Sequence, residues 1–277
     1  MNETNISKEL TAKYEQLKKH LKSYGRMMIA FSGGVDSTFL LKAAYDALGD
    51  DVIAVTAVSC FIPEREQKEA KAFCEAEGIR QIILPYDVLH VDGVKENPHD
   101  RCYICKLALL GKVRELAQSM GITAVAEGSN LDDKSDYRPG ARAVVEMKIL
   151  SPLQELSFSK AQIRALSHEL GLETWQKPSY ACLASRFVYG ETITEEKLKM
   201  IDRAEQFLIE RGFRQMRVRI HGDMARIELL PEDMDRFFQK EMRESVLKEL
   251  TDAGFSRVTV DLAGFSSGSM NKGLTIR

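Results

Sequence analysis

The sequence predicts an α/β fold: a parallel sheet with helices on both faces, followed by a small C-terminal α+β domain. Three observations predict it. Short apolar runs rich in β-branched residues alternate with amphipathic stretches at helical spacing. Those stretches end in glycine, at Gly49, Gly78, Gly121 and Gly171. After about Tyr189 the alternation stops and a hairpin pattern begins. The first rhythm implies right-handed crossovers and a sheet covered by helices. A chain of 277 residues suits two domains, here 1–189 and 190–277.

Each element has its own signal. Leu10, Tyr14, Leu17 and Leu21 recur at helical spacing and predict a leading helix over 9–24. The apolar run 27–31 predicts a first strand, and the stretch through Phe39, Leu40 and Leu41 to Leu48 a helix. Strands follow at 52–58, 82–84, 123–126 and 147–150, and helices at 64–77, 107–120 and 159–170. In the second domain, 194–211 predicts a helix. Segments 215–220 and 226–230 predict a hairpin around His221-Gly222-Asp223, and 231–253 and 257–262 a further helix and strand. There is no internal repeat or low-complexity tract.

Composition narrows the function. Apolar residues are 44% and charged residues 29%, ordinary for a globular chain. Net charge is −2, so no global basic excess favours a nucleic-acid partner. The longest apolar run, 52–62, is interrupted by Thr56 and Ser59 and is too short to span a bilayer. The first residues lack the pattern of a secretion signal, so a cytoplasmic, reducing compartment is the expectation. Five cysteines, an odd number, argue against a disulfide framework and toward metal binding, catalysis or plain core use.

The most informative stretch is Ser32-Gly33-Gly34-Val35-Asp36-Ser37, where the first strand becomes a helix. Gly33 and Gly34 allow a tight turn and close approach of a ligand. Exposed amides at a helix N-terminus favour phosphate, and Ser32 and Ser37 add hydroxyls. Asp36 is negative and suits a metal ion that neutralises phosphate. The plain alternative is a Gly-Gly turn with Ser37 as a cap. The segment resembles the PP-loop of the N-type ATP pyrophosphatases, the adenine nucleotide alpha hydrolase-like fold. That resemblance implies ATP bound with Mg²⁺, attack of a substrate on the α-phosphate, and release of pyrophosphate.

Further motifs extend the resemblance. Ala126 to Asp133 is similar to the family's Gly-Ser-Asn-x-Asp-Asp stretch, which implies nucleotide-binding roles for Gly128, Asn130 and Asp133; a solvated turn is the alternative. Arg138, in Asp136-Tyr137-Arg138-Pro139-Gly140, either faces a phosphate or pairs with Asp136. Ser151 to Leu156 with Lys160 and Arg164 resembles a segment of PP-loop sulfur transferases, although both basic residues also read as helix surface charges.

The cysteines divide into two groups. Cys60 and Cys74 read as small core residues. Cys102 and Cys105 form a C-x-x-C at a helix start, where thiolates are favoured; a redox pair, or a zinc site with His99 considered, are alternatives. Cys182 lies in Trp175-x-Lys177-Pro178-Ser179-x-Ala181-Cys182-Leu183-Ala184-Ser185-Arg186. Three cysteines suit a 4Fe–4S cluster with one open iron. With this segment the chain resembles, over nearly its whole length, the LarE family of ATP-dependent sulfur transferases that build the nickel-pincer nucleotide of lactate racemase.

The LarE resemblance implies adenylation of a carboxylate of pyridinium biscarboxylate mononucleotide, followed by sulfur displacing AMP. It implies one of two sulfur sources: a cluster on Cys102, Cys105 and Cys182, the expectation adopted here, or sacrifice of Cys182 itself. Arg186 is expected to hold substrate phosphate or stabilise the thiolate, a surface salt bridge being the alternative. Arg217 and Arg219 share a strand face and read as solvated, with binding of the substrate's phosphate as the alternative. A homo-oligomer is implied, of which a hexamer is one form. Competing readings are a PP-loop tRNA thiolase, a nucleotide-binding regulatory module, and an ammonia-using synthetase. The chosen reading requires the Ser-Gly-Gly bend and the three thiols to converge.

Overall fold

The computed structural model describes residues 3–134, 139–178 and 181–266. The chain divides into two compact units. One comprises 3–87 and 102–178, the other 88–101 and 181–266. The expected boundary at 189/190 therefore falls differently, because 181–189 and the 88–101 segment pack with the second unit.

The first unit is the predicted α/β layer. Its elements are α1 (Glu3–Lys22), β1 (Met27–Ala30), α2 (Val35–Leu48), β2 (Val52–Val58), α3 (Glu64–Glu77), β3 (Gln81–Pro85), α4 (Arg101–Ser119), β4 (Ala124–Ala126), α5 (Pro139–Glu146), the single turn α6 (Pro152–Glu155) and α7 (Lys160–Glu169). The sheet order is β3-β2-β1-β4. All pairs are parallel, with Met27 opposite both Val52 and Ala124. Side chains alternate across a strand. Met27 and Ile29 therefore join one core with Leu17, Phe39, Leu40 and Ile163, while Met28 joins another with Leu110, Val113 and Val144 on the opposite face.

The expected fifth strand is reduced to one parallel bridge, Ala126 to Leu150. Lys148, with φ +50°, turns the chain just before the bridge. Pro152, in the first turn of α6, ends it just after.

The second unit has the predicted helix and hairpin. After a short 3₁₀ turn at Leu183–Arg186 come α8 (Glu195–Glu210), β5 (Met216–His221), β6 (Met224–Leu229), α9 (Met234–Phe237), α10 (Lys240–Asp252) and β7 (Arg257–Val260). β5 and β6 are antiparallel, and β7 adds parallel to β6. Segment 88–101 is anchored here by Ile193 N donating to Lys95 O (2.8 Å), Gly190 N to Asn97 O (2.9 Å) and Asn97 Nδ2 to Val188 O (2.8 Å).

The predicted helix 231–253 is broken. Phe237 is buried beside Phe213, whereas α10 buries Val246 and Leu250. On one straight helix Phe237 would lie roughly half a turn away from Val246. Extended backbone at Gln239 (φ −57°, ψ 143°) lets both reach a core. Among the described residues no helix is long and apolar enough to cross a membrane.

Candidate functional site

The bend after β1 is set by backbone. Phe31 N donates to Val55 O at 2.8 Å, which continues the sheet one residue past β1. Gly33 then takes φ +70°, and a Cβ there would sit 3.1 Å from Ala70 Cβ. Gly34 is the N-cap of α2 and caps without a side chain. The two serines brace the bend: their hydroxyls share a hydrogen bond at 3.0 Å, Ser32 N donates to Ser37 Oγ at 3.3 Å, and Ser37 Oγ donates to Gly34 O at 3.1 Å.

Gly128 is pressed against this turn. A Cβ on it would lie 2.9 Å from Ser37 N and 3.1 Å from Asp36 C, too close for any side chain. The neighbouring Asn130 and Asp133 close their own turn. Asp133 Oδ2 accepts from Asn130 N (2.9 Å), and Asn130 Oδ1, on a buried side chain, accepts from Asp132 N (2.9 Å). The structure thus places Gly128 at the bend, with Asn130 and Asp133 shaping the loop beside it. Arg138, with the rest of 135–138, lies outside the described residues.

Two lysines meet the bend. Lys160 Nζ donates to Asp36 Oδ2 at 2.5 Å. Lys177 Nζ donates to Gly33 O at 3.2 Å and pairs with Glu69 at 2.6 Å. Arg164 donates to Trp175 O and to Lys177 O (2.8 Å), holding the segment that carries Lys177. The surface-charge alternative for Lys160 and Arg164 is thereby corrected, since both side chains make specific contacts. Asp36 Oδ1 is buried and, among the described residues, has no hydrogen-bond partner. An orphaned acceptor is costly, and a carboxylate oxygen left without a donor fits a Mg²⁺ ion.

Glu127, buried just before Gly128, belongs to the sequence motif, but nothing in the motif points to its partner Lys106. Its Oε1 accepts from Ser129 N (3.0 Å) and Ser151 Oγ (2.9 Å), and its Oε2 from Lys106 Nζ (3.1 Å). Burial alone would raise its carboxyl, yet Lys106 and these donors hold it below the usual range.

In the second unit, Cys182 caps the 3₁₀ turn and is half-buried. Arg186, expected to hold substrate phosphate or stabilise the thiolate or else to form a surface salt bridge, is not at the surface. Its side chain is fully buried in a two-pronged pair with Glu205 (2.9 and 2.8 Å), and its Nη1 donates to Ala181 O (2.6 Å), Cys182 O (3.1 Å) and Ser185 Oγ (2.9 Å). Arg186 therefore grips the backbone around the cysteine. Glu205 also accepts from Val218 N (3.0 Å). Its carboxyl would be raised by burial, but Arg186 and Arg217 hold it low.

A second such pair supports the same turn. Arg219 forks onto Glu228 (3.1 and 3.0 Å) and donates to Ser185 O (2.7 Å). Arg217 and Arg219 are each only 5% exposed, so the expected solvated face is instead buried. Arg101, which carries no signal in the sequence, donates from Nη1 to Cys182 Sγ at 3.4 Å.

These features invite comparison with known proteins. The chain is 39% identical over 267 residues to the pyridinium-3,5-bisthiocarboxylic acid mononucleotide synthase of Lactiplantibacillus plantarum, covering 96% of each. It belongs to the LarE family. It is 42% identical over 266 residues to an uncharacterised Synechocystis protein, covering 96% of this chain and 99% of that one. A more distant relative is a glutamine-hydrolysing GMP synthase component of Thermoplasma volcanium, 26% identical over 202 residues, covering 68% of this chain and 64% of that one. No family model matches the chain. This LarE-family protein is an enzyme, an ATP-dependent sulfurtransferase.

The cysteines of this LarE-family chain are distributed unevenly. Cys102 is exposed and Cys105 half-buried, both near the start of α4. Tyr86 donates to Cys105 O (2.8 Å). Cys74 is in the core, its thiol pushed up to about 12 by burial, while Cys60 is half-buried in the turn after β2. The expected three-thiolate cluster would need Cys102 and Cys105 of the first unit to meet Cys182 of the second. Among the described residues no three His, Cys, Asp or Glu side chains are gathered as metal donors.

Proposed function

We propose that this protein uses ATP to adenylate a carboxylate of a pyridinium biscarboxylate mononucleotide and then exchanges the adenylate for sulfur. The observation that carries the reading is the Ser32–Ser37 bend, braced by two hydroxyls and closed by Gly128, in a chain 39% identical to a named synthase. A carboxylate oxygen is a poor leaving group, and AMP is a good one.

The loop's part is positional. The backbone amides around Gly33 and Gly34 and the N-terminus of α2 face the β- and γ-phosphates. Lys160 and Lys177 add positive charge at the same bend. Asp36 would hold Mg²⁺, which offsets charge developing on the phosphates. The substrate carboxylate attacks the α-phosphorus, the α–β bridging bond breaks, and pyrophosphate leaves.

In this reading sulfur passes through Cys182. Its thiolate attacks the acyl carbon, AMP departs, and a thioester forms. Loss of the Cys182 Cα proton then breaks its Cβ–Sγ bond, leaving the thiocarboxylate product and dehydroalanine in the chain. Arg186 holds the carbonyls of Ala181 and Cys182 throughout, and Arg101 steadies the sulfur. A second reading is favoured by the Cys102–Cys105 pair: Cys102, Cys105 and Cys182 would hold a 4Fe–4S cluster, which would supply the sulfur.

The experiment is anaerobic purification with iron and sulfide counted, followed by assays of pyrophosphate release. Release with the pyridinium mononucleotide and not with tRNA supports the proposal; release with tRNA alone, or none, overturns it. Loss of one H₂S from the intact protein mass assigns the sulfur to Cys182, whereas bound iron and sulfide with unchanged mass assigns it to a cluster. We further propose a homo-oligomer in the cytoplasm, which sizing of the purified protein and cell fractionation test.

A further inference from the structure

Lys160 is held in place by more than its side chain. It is the first residue of α7, whose N-terminus carries a reciprocal cap between Ser159 and Gln162. Its backbone N donates to Asp132 Oδ2 at 2.8 Å. The ammonium then reaches Asp36 Oδ2 at 2.5 Å, 124 positions earlier in the chain. Both side chains are roughly three-quarters buried, at 27% and 21% exposure, so solvent screens the pair only partly. The other oxygen, Oδ1, is buried and takes no hydrogen bond among the described residues.

One carboxylate thus shows two faces: an oxygen already neutralised by an ammonium, and an oxygen suited to a cation. A bare divalent ion on Oδ1 would place two more positive charges beside the Lys160 ammonium. A triphosphate arriving with the metal brings negative charge that both cations can share. Lys177, on Gly33 O at the same bend, adds to the repulsion of a bare ion and to the attraction of phosphate.

We propose that Lys160 is a guarding counter-ion: it keeps free divalent metal off Asp36 and admits metal together with a triphosphate, so that metal and nucleotide bind cooperatively. This rests on the ATP reading of the bend. If Lys160 served only to orient Asp36, its removal would weaken metal binding. If it served only as a phosphate ligand, its removal would leave bare-metal binding unchanged. The sign of that change therefore decides.

The test uses the full chain, with Mn²⁺ binding followed by electron paramagnetic resonance, alone and with α,β-methylene-ATP, which cannot release pyrophosphate. In Lys160→Gln, bare Mn²⁺ should bind about tenfold tighter than in wild type, within the usual range of coupling between sites, while the nucleotide analogue binds more weakly. Lys160→Arg, which keeps the charge, should retain wild-type weakness toward bare Mn²⁺. Adding Asp36→Asn to Lys160→Gln should abolish the gain. Unchanged or weaker Mn²⁺ binding in Lys160→Gln, an arginine variant that behaves like it, or a gain that survives loss of Asp36 overturns the inference. Unfolding curves matching wild type confirm that the variants are folded. If wild type binds no nucleotide analogue at all, the ATP reading fails first and this inference with it.

Discussion

The phosphate bend and the Cys182 turn are built by opposite means. The bend relies on missing side chains and short-range hydroxyl bonds: Gly33 in a left-handed conformation, Gly128 without room for a Cβ, and two serines five residues apart. The turn relies on buried charge brought from afar, with Arg186 on Glu205 and Arg219 on Glu228, each pair also holding backbone carbonyls around the cysteine. Under the proposed function, the site that receives a large anion keeps its backbone open, and the one that presents a sulfur is gripped from behind.

The sharpest way to break this contrast is at the buried pair. Arg186→Met leaves the Glu205 carboxylate fully buried without its main partner, and such a loss costs about 3–5 kcal/mol. Chemical denaturation should show it. The double variant Arg186→Met with Glu205→Met should recover much of that stability, yet sulfur transfer should stay low because the Ala181 and Cys182 carbonyls lose their donor. Recovery of full transfer in the double variant would mean the grip is dispensable.

Gly128→Ala attacks the bend in the other way. The new Cβ would meet Ser37 backbone at 2.9 Å, and such overpacking costs roughly 1–3 kcal/mol. Here binding should suffer more than folding: nucleotide affinity, read by calorimetry, should fall at least tenfold, the equivalent of about 1.4 kcal/mol, while alkylation of Cys182 is unaffected.

Acid separates the regions less. Glu127 and Glu205 both carry lowered carboxyl pKa values in the folded protein. Their contribution to stability is full above the ordinary value of 4.5 and is lost as pH falls through the lower folded values. The denaturation midpoint should hold near neutrality and decline below about pH 4.5, and Glu127→Gln should flatten part of that decline. The smallest effect is expected at Ser159→Ala, which removes the α7 cap beneath Lys160 and should cost about 1 kcal/mol in thermal unfolding.

How much is legible in the chain follows from distance along it. Ser32 to Ser37 reads as one bend because the serine hydroxyl bonds that brace it span at most five residues. The apolar alternation locates four strands and most helices for the same reason. It also predicts a fifth strand that is not formed, since Lys148 and Pro152 curtail an apolar run that periodicity alone favours. It extends one helix over 231–253 because helical spacing says nothing about where Phe237 must point. Lys160 and Arg164 look like surface charges because their partners, Asp36 and the carbonyls of Trp175 and Lys177, are not periodic neighbours.

The order of strands and helices, the glycine-bounded bend and the presence of three candidate sulfur-handling cysteines are properties of the chain as written. They depend on backbone preferences and on contacts within a few residues. Packing alone decided that Arg186, Arg217 and Arg219 are buried, and that Lys160 pairs with a carboxylate of the Ser32–Ser37 bend. Burial and charge pairing are set by what other elements place across space, and that information is spread over α8, β5, β6 and α7 rather than carried by any one segment.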